Sequence, residues 1–276
     1  MAERAVVVTG ASSGIGRATA LLLDARGWTV FAGVRRSADA QSLAVAASER
    51  LVPLMLDVSK EPDIAAAAQT VRDRGIPLAG LVNNAGIAAA APLEAVPIDE
   101  LRHQLEVNVV GQVAVTQAML PMLRATEGRI VNVTSVGGLV AGPMLGPYHA
   151  SKFAFEAITD TLRNELAPWG IEVIAIEPGA IATPIWATSA AAADRMNLPA
   201  EAIERYRKPI AAARASAANA SKHGLPPGKV AGVIERALTT LRPRTRYPVG
   251  NDAKAVAWLL AGLPDRLRDR IVFGQR

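Results

Sequence analysis

Residues 5–9 read Ala-Val-Val-Val-Thr and run straight into Gly10-Ala11-Ser12-Ser13-Gly14-Ile15-Gly16, followed by a helical pattern over 17–26. A β-branched apolar run of this kind suits a buried strand. The glycines permit a tight turn and let a ligand approach the backbone. The helix that follows presents N–H groups at its start, which favour an anionic phosphate. Strand, glycine-rich turn and helix in that order constrain the fold more than any other stretch. The spacing is Gly-x-x-x-Gly-x-Gly rather than the commoner Gly-x-Gly-x-x-Gly of pyrophosphate-binding turns. Alone, the segment therefore leaves open a βα turn without a ligand.

The same alternation recurs. Apolar β-branched runs at 5–9, 28–33, 52–57, 79–83, 129–134, 171–176 and 245–249 predict strands. Helical stretches are expected at 14–26, 37–48, 61–74, 98–125, 147–167, 229–241 and 252–262. Strand alternating with helix predicts an α/β fold built on a parallel sheet with right-handed crossovers. Half of the residues are hydrophobic but only 4% aromatic, so Ala, Val, Leu and Ile carry the core. The 276 residues could bury one large core or two smaller ones. No Pro/Gly/Ser linker divides them, so one domain is expected. Residues 185–228 are the least readable segment, Ala-rich and helix-prone, ending at Pro226-Pro227-Gly228.

What the chain lacks narrows its chemistry. Without cysteine it has no disulfide, thiolate metal site or cysteine nucleophile. His103, His149 and His223 show no metal-ligand spacing, and no metal is expected. There is no run of eighteen apolar residues to span a membrane and no basic-then-apolar leader, so the expected location is the cytoplasm. The charge is uneven: residues 201–276 hold 15 of the 30 basic and 6 of the 25 acidic residues, leaving that quarter at +9. These cations are dispersed, without a binding motif or interleaved aromatics, so nucleic acid is not an expected partner. A solvated face or a subunit contact is the first reading of them, and attraction of an anionic substrate or membrane surface the second.

Tyr148 follows Ser135 by thirteen residues and precedes Lys152 by four, in Tyr148-His149-Ala150-Ser151-Lys152. On a helix that spacing puts both side chains on one face, about 6 Å apart. A phenol is a poor base at neutral pH, and a neighbouring ammonium would lower its pKa. If Ser135 ends its strand at the same cleft, it can hydrogen-bond a substrate oxygen. Such a set can exchange protons in an alcohol–ketone interconversion, which also needs a hydride carrier. By itself, Tyr-x-x-x-Lys also fits a surface tyrosine beside a solvated lysine.

Thr9-Gly10-Ala11-Ser12-Ser13-Gly14-Ile15-Gly16, Asn83-Asn84-Ala85-Gly86, Asn108, Ser135, Tyr148-x-x-x-Lys152 and Pro178-Gly179 together resemble the short-chain dehydrogenase/reductases in order and spacing. The resemblance implies a single-domain Rossmann fold, a doubly wound parallel sheet of about seven strands with helices on both faces. It also implies a nicotinamide cofactor and a homodimer or homotetramer. By resemblance, Tyr148 is the general acid in reduction and the base in reverse. Lys152 lowers its pKa and holds the nicotinamide ribose, Ser135 polarises the carbonyl, and Asn108 orders a water near the lysine. The turn of Gly10, Ser12, Ser13, Gly14, Ile15 and Gly16 would hold the cofactor, with Ile15 against the nicotinamide region. Asn84, Ala85 and Gly86 would lie beneath the adenosine side, and Asp57 with Val58 would meet the adenine amino group. Pro178, Gly179 and Ile181 would border the nicotinamide, with Thr183 near its carboxamide.

Strand 28–33 leads to Arg35-Arg36, with no acidic residue between Gly33 and Ala38 to bind a ribose diol. Arg35 could instead pair with a 2′-phosphate. NADP is therefore favoured over NAD, although Ser13 stands where NADP enzymes of the family often carry a basic residue. Val30–Val34, Pro243–Lys254 and Leu263-Pro264-Asp265 resemble the hydroxysteroid and retinol dehydrogenase branch. That implies a small apolar alcohol or ketone as substrate, with Met144, Leu145, Trp186 and Met196 as pocket residues and 185–228 as a covering lid. A β-ketoacyl thioester reductase is the second reading, its basic tail meeting an acidic carrier. A non-catalytic nucleotide-binding sensor or scaffold is a third, which the intact Asn, Ser, Tyr and Lys set argues against.

Overall fold

Apolar runs that alternate their contacts between two faces require cover on both, and the chain supplies it. In the computed structural model, which describes residues 3–274, the seven strands are β1 (Ala5–Val8), β2 (Thr29–Val34), β3 (Leu51–Met55), β4 (Leu78–Asn83), β5 (Arg129–Val133), β6 (Glu172–Pro178) and β7 (Arg246–Val249). They form one sheet in the order β3-β2-β1-β4-β5-β6-β7, and every pairing is parallel. All residues of β1 and β2 are buried. Val6 and Val8 join a core with α1 (Gly14–Ala25), α2 (Ser37–Ala46) and α10 (Pro227–Thr239). Ala5 and Val7 join the opposite core with α3 (Glu61–Asp73), α5 (Gly111–Arg124) and α6 (Gly146–Leu166). Each fully buried Val, Leu or Ile contributes roughly 1.5–3 kcal/mol. The fold is thus the expected Rossmann-like arrangement.

Sheet order reverses between β1 and β4, because the chain first winds outward to β3 and then crosses back. The carboxyl ends of the strands open a crevice at that reversal, the usual ligand position in such sheets.

Several boundaries differ from expectation. The helix expected over 98–125 is divided into α4 (Ile98–Leu105), a π turn at Glu106–Val110 and α5. At the junction a Cβ on Gly111 would lie 2.4 Å from the Val58 carbonyl oxygen, so the helix approaches the end of β3 more closely than any side chain would permit. The last expected helix is a short α11 (Asn251–Ala255) and a second π turn, Val256–Leu260. Residues 185–228 hold three helices before α10 begins: α7 (Ile185–Arg195), α8 (Ala200–Arg205) and α9 (Arg207–His223). One more helix, α12 (Asp265–Phe273), was not expected, since its arginines and aspartates mask the apolar period of Leu267 and Ile271. Among the described residues no helix is long and apolar enough to cross a membrane.

Candidate active site

The glycine turn closes β1 against the end of β4. Gly10 and Gly14 have φ of 64° and 55°, the left-handed region that glycine enters without strain. A Cβ on Gly16 would lie 2.2 Å from the Gly10 carbonyl oxygen and 2.4 Å from Asn84 Nδ2. Thr9 fastens the two strands. Its Oγ1 accepts from the Asn84 and Ala85 N–H groups at 2.9 Å each, while Asn84 Nδ2 donates to the Thr9 and Gly10 carbonyls at 2.9 and 3.2 Å. Asn84 thus uses its side chain to brace the turn. Ser13 caps α1 in extended backbone without a side-chain bond, so no cap occupies the first-turn N–H groups. Those N–H groups, beside a turn whose glycines leave the backbone open, fit a cofactor pyrophosphate.

Beyond β2 the two arginines differ. Arg36 forms a two-point ion pair with Asp39, at 2.8 and 2.9 Å. This hydrogen bond is the main reason the Asp39 carboxyl lies below its ordinary range. Arg35 is exposed and makes no ion pair among the described residues. Arg17 reaches across from α1 to the Ser42 carbonyl at 3.3 Å and adds its charge near Asp39. Asp57, at the end of β3, accepts from the Ser59 hydroxyl and N–H at 2.7 and 3.1 Å. Burial pushes its carboxyl up, but the Ser59 bonds and the charges of Arg35 and Lys60 outweigh it and hold the group below its ordinary value. Val58 beside it is buried against Gly111.

Ser135 stands two residues past the end of β5 and caps the 3-10 turn Val136–Gly138, its Oγ accepting the Gly137 N–H at 3.0 Å. α6 begins at Gly146 and delivers Tyr148, Ser151 and Lys152 on successive turns. The Ser135 side chain is the polar group that bears on the Tyr148 phenol. His149 ties helix to turn through Nδ1 and the Gly137 carbonyl, 2.9 Å apart. Lys152 is buried; its Nζ donates to the Val133 carbonyl at 2.9 Å and lies 5.8 Å from the Tyr148 ring centroid.

The proton affinities correct one expectation. Burial pushes the Tyr148 phenol above its ordinary value, only partly opposed by the Ser135 side chain. The expected lowering by Lys152 is absent, because that lysine is turned onto a strand carbonyl and is itself desolvated. Burial lowers the Lys152 ammonium to about 8, opposed by the charge of Glu156.

Asn108 sits buried inside the first π turn. Its Nδ2 donates to the Ile87 carbonyl and Ser151 Oγ at 3.0 Å each, and its Oδ1 accepts the Ile87 N–H at 2.9 Å. The side chain therefore bridges the segment after Gly86 to α6, and reaches the Tyr148 neighbourhood through Ser151, whose hydroxyl donates to the Tyr148 carbonyl at 2.7 Å.

The segment after β6 completes the crevice. A Cβ on Gly14 would lie 3.1 Å from Thr183 Cγ2, which places Thr183 against the glycine turn. Ile15 packs on the core that holds Ile181. Gly179 donates its N–H to the Val249 carbonyl at 3.0 Å, and the next N–H, of Ala180, goes to Asp252 Oδ2 at 2.7 Å. Trp186 Nε1 donates to the Ile181 carbonyl at 2.7 Å. Across the cleft, Met144 adopts φ 71° and its carbonyl accepts from Ala91 at 2.9 Å. Met196 lies in a small apolar cluster with Ala89, Ala91 and Val96. It anchors the segment after α7 to the opposite wall.

Thr9, Arg17, Ser151 and Asp252 were not picked out as site residues, although each braces the crevice or flanks it. Thr9 was legible as the last polar residue of a buried strand. Asp252, distant in sequence, could be found only once β7 was paired beside β6.

Residues 4–194 match the family described as short chain dehydrogenase. The chain is 36% identical to an NADPH-dependent 3-dehydrocapnine reductase of Ornithobacterium rhinotracheale, over 98% of this chain and 96% of that protein. It is 38% identical to human 17-beta-hydroxysteroid dehydrogenase type 6, over 98% of this chain and 88% of that protein. A short chain dehydrogenase from Burkholderia cenocepacia, solved in complex with NADP, superposes with a TM-score of 0.75 at 28% identity, covering 98% of both chains.

Proposed function

The chain belongs to the short-chain dehydrogenase/reductase family, NAD(P)-dependent oxidoreductases of CH–OH groups, and on that premise we propose that it interconverts an apolar secondary alcohol and its ketone with NADP. The observation that carries this reading is the gathering of Ser135, Tyr148 and Lys152 around the start of α6, linked through Ser151, Asn108 and the Asn84–Gly86 segment to the glycine turn. The chemistry NADP supplies when bound is hydride exchange at the carbinol carbon. Tyr148 gives its phenolic proton to the carbonyl oxygen in reduction and takes it back in oxidation. Ser135 holds that oxygen, and Lys152 would favour proton loss from the phenol once its ammonium turns from the Val133 carbonyl toward it. Gly10, Ser12, Ser13, Gly14, Ile15 and Gly16 would hold the cofactor on one side, and Pro178, Gly179, Ile181 and Thr183 on the other. Asn84, Ala85, Gly86, Asp57 and Val58 would floor its adenosine half.

Arg35, without an ion pair among the described residues and sharing the Asp39 neighbourhood with Arg17, supports NADP, as does the cofactor named for the Ornithobacterium relative. NAD is the alternative; an enzyme of the family from Burkholderia phymatum was solved with it. The steroid named for the human relative supports an apolar substrate. Steady-state assays with NADPH and NADH against steroid and aliphatic ketones, retinoid carbonyls and a β-ketoacyl thioester test the reading. NADPH oxidation by apolar ketones is expected. Turnover confined to the thioester would move the substrate to that class, and NADPH binding without any turnover would point to a nucleotide sensor.

We also propose that 185–228 is a mobile cover. Its three helices bury only Ser189, Ala202 and Ala220. The tie across the cleft is Met196 with one exposed ion pair, Arg205 to Glu94 at 2.5 Å, and such pairs contribute at most about 1 kcal/mol. Local opening should therefore cost little. Amide hydrogen exchange is expected to be faster across α7–α9 than in β1 or β4, and to slow when cofactor and substrate are both bound. Protection equal to the strands, indifferent to ligands, would make the segment purely structural.

A further inference from the structure

Arg246, the first residue of β7, meets three carboxylates behind the lysine. It pairs with Glu177 and Asp160 at 2.7 Å each and with Glu156 through Oε2. Asp160 is also held by Arg163. Three carboxylates thus face two guanidinium groups, and the cluster is one cation short. Glu156 is buried, and its Oε1 has no hydrogen-bond partner. It follows Lys152 by one helical turn on α6, so the two share a face. A Cβ on Gly138 would lie 2.9 Å from both Glu156 Cγ and the Lys152 carbonyl oxygen, which shows how tightly the turn after Ser135 seals the pair. Lys152 has a carbonyl partner and, among the described residues, no carboxylate within ion-pair distance.

We propose that Glu156, clamped by Arg246 of the last strand, is a positioning residue that keeps the buried Lys152 ammonium charged. Lys152 is the cation that balances the cluster. The inference rests on the reading of Lys152 as part of the proton-transferring set. Its physical cause is simple: desolvation disfavours a buried ammonium, and a nearby carboxylate that cannot be solvated opposes it. Burial draws Lys152 down, and the Glu156 charge is the influence that raises it. The other groups facing the pair are Tyr148, His149, Asp160 and Arg163 from α6, Glu177 from β6 and Arg246 from β7. Arg102, His103 and Glu106, on elements packed against α6 from the other side, are exposed.

The test is an NMR titration of protein labelled at the lysine side-chain nitrogen, free of cofactor, with the Lys152 signal assigned by its loss in Lys152→Met. Wild-type Lys152 should titrate near 8. Glu156→Gln should lower that midpoint by about one pH unit, Glu156→Asp by less, and Arg102→Gln not at all. The alkaline limb of kcat/KM should move down with the midpoint in Glu156→Gln, because the charge is lost as pH rises. If the glutamine variant does not fold, Glu156→Met fills a similar volume without an unpaired polar atom and carries the same expectation. An unchanged Lys152 midpoint in a folded variant overturns the proposal. Because the titration needs neither substrate nor cofactor, it stands even if no carbonyl compound is turned over, which would count against the proposed reaction alone.

Discussion

Tyr148→Phe should bind NADP as wild type does and lose turnover by at least about 10²-fold, the contribution of a positioned acid/base. Phenylalanine retains the ring, its place on α6 and its edge contact with His149, so only the hydroxyl disappears. The glycine turn lies on a different element, and its N–H groups do not depend on the phenol. The raised proton affinity of the half-buried phenol keeps it in the protonated form that a donor to a ketone needs at neutral pH and disfavours the phenolate needed for oxidation. With NADP(H) supplied, reduction should therefore persist to low pH, whereas oxidation requires Tyr148 to be brought toward ionisation by Lys152. Single-turnover measurement with NADPH separates binding from chemistry. Near-wild-type turnover by the phenylalanine variant would sink the assignment of the proton donor.

Arg35→Asp should turn cofactor preference from NADP toward NAD by a factor on the order of 10²–10³. The change removes a charge-assisted bond to the 2′-phosphate and adds a repelling carboxylate, together a few kcal/mol. Arg36 should not compensate, because Asp39 already holds it in a two-point pair. Arg17 stays, so some affinity for NADP should survive. The ratio of kcat/KM for the two cofactors measures the effect. A wild-type preference for NAD, or an unchanged ratio in the variant, would show that Arg35 does not read the phosphate.

Much of this was legible because the determinants are local. The β-branched runs marked all seven strands, and the four-residue spacing of Tyr148 and Lys152 put both on α6. The π turn that buries Asn108 was not legible, since a one-residue widening of a helix leaves no mark on an apolar period. Nor was the rise in the Tyr148 proton affinity, which depends on where Lys152 Nζ points and on what excludes water. The Arg246 cluster joins β6, α6 and β7 across 90 residues of sequence, and only the parallel pairing of the last two strands assembles it. Helices α7–α9 were foreseen only as a helix-prone stretch, because alanine carries helix propensity without specifying a partner.

The small side chains with which α7–α9 meet the rest of the molecule separate two kinds of inheritance. Ser189, Ala202 and Ala220 are small buried side chains, while Thr9, Asn84 and Gly16 fit together with no spare room. If α7–α9 cover the substrate as proposed, substitution on their inner side can alter which molecule fits without disturbing the proton-transferring groups, whereas change in the crevice floor disturbs both. A lineage built this way can diversify its diet quickly while its chemistry stays fixed. In such a chain the residues that distinguish one descendant's substrate from another's are those the sheet does not hold.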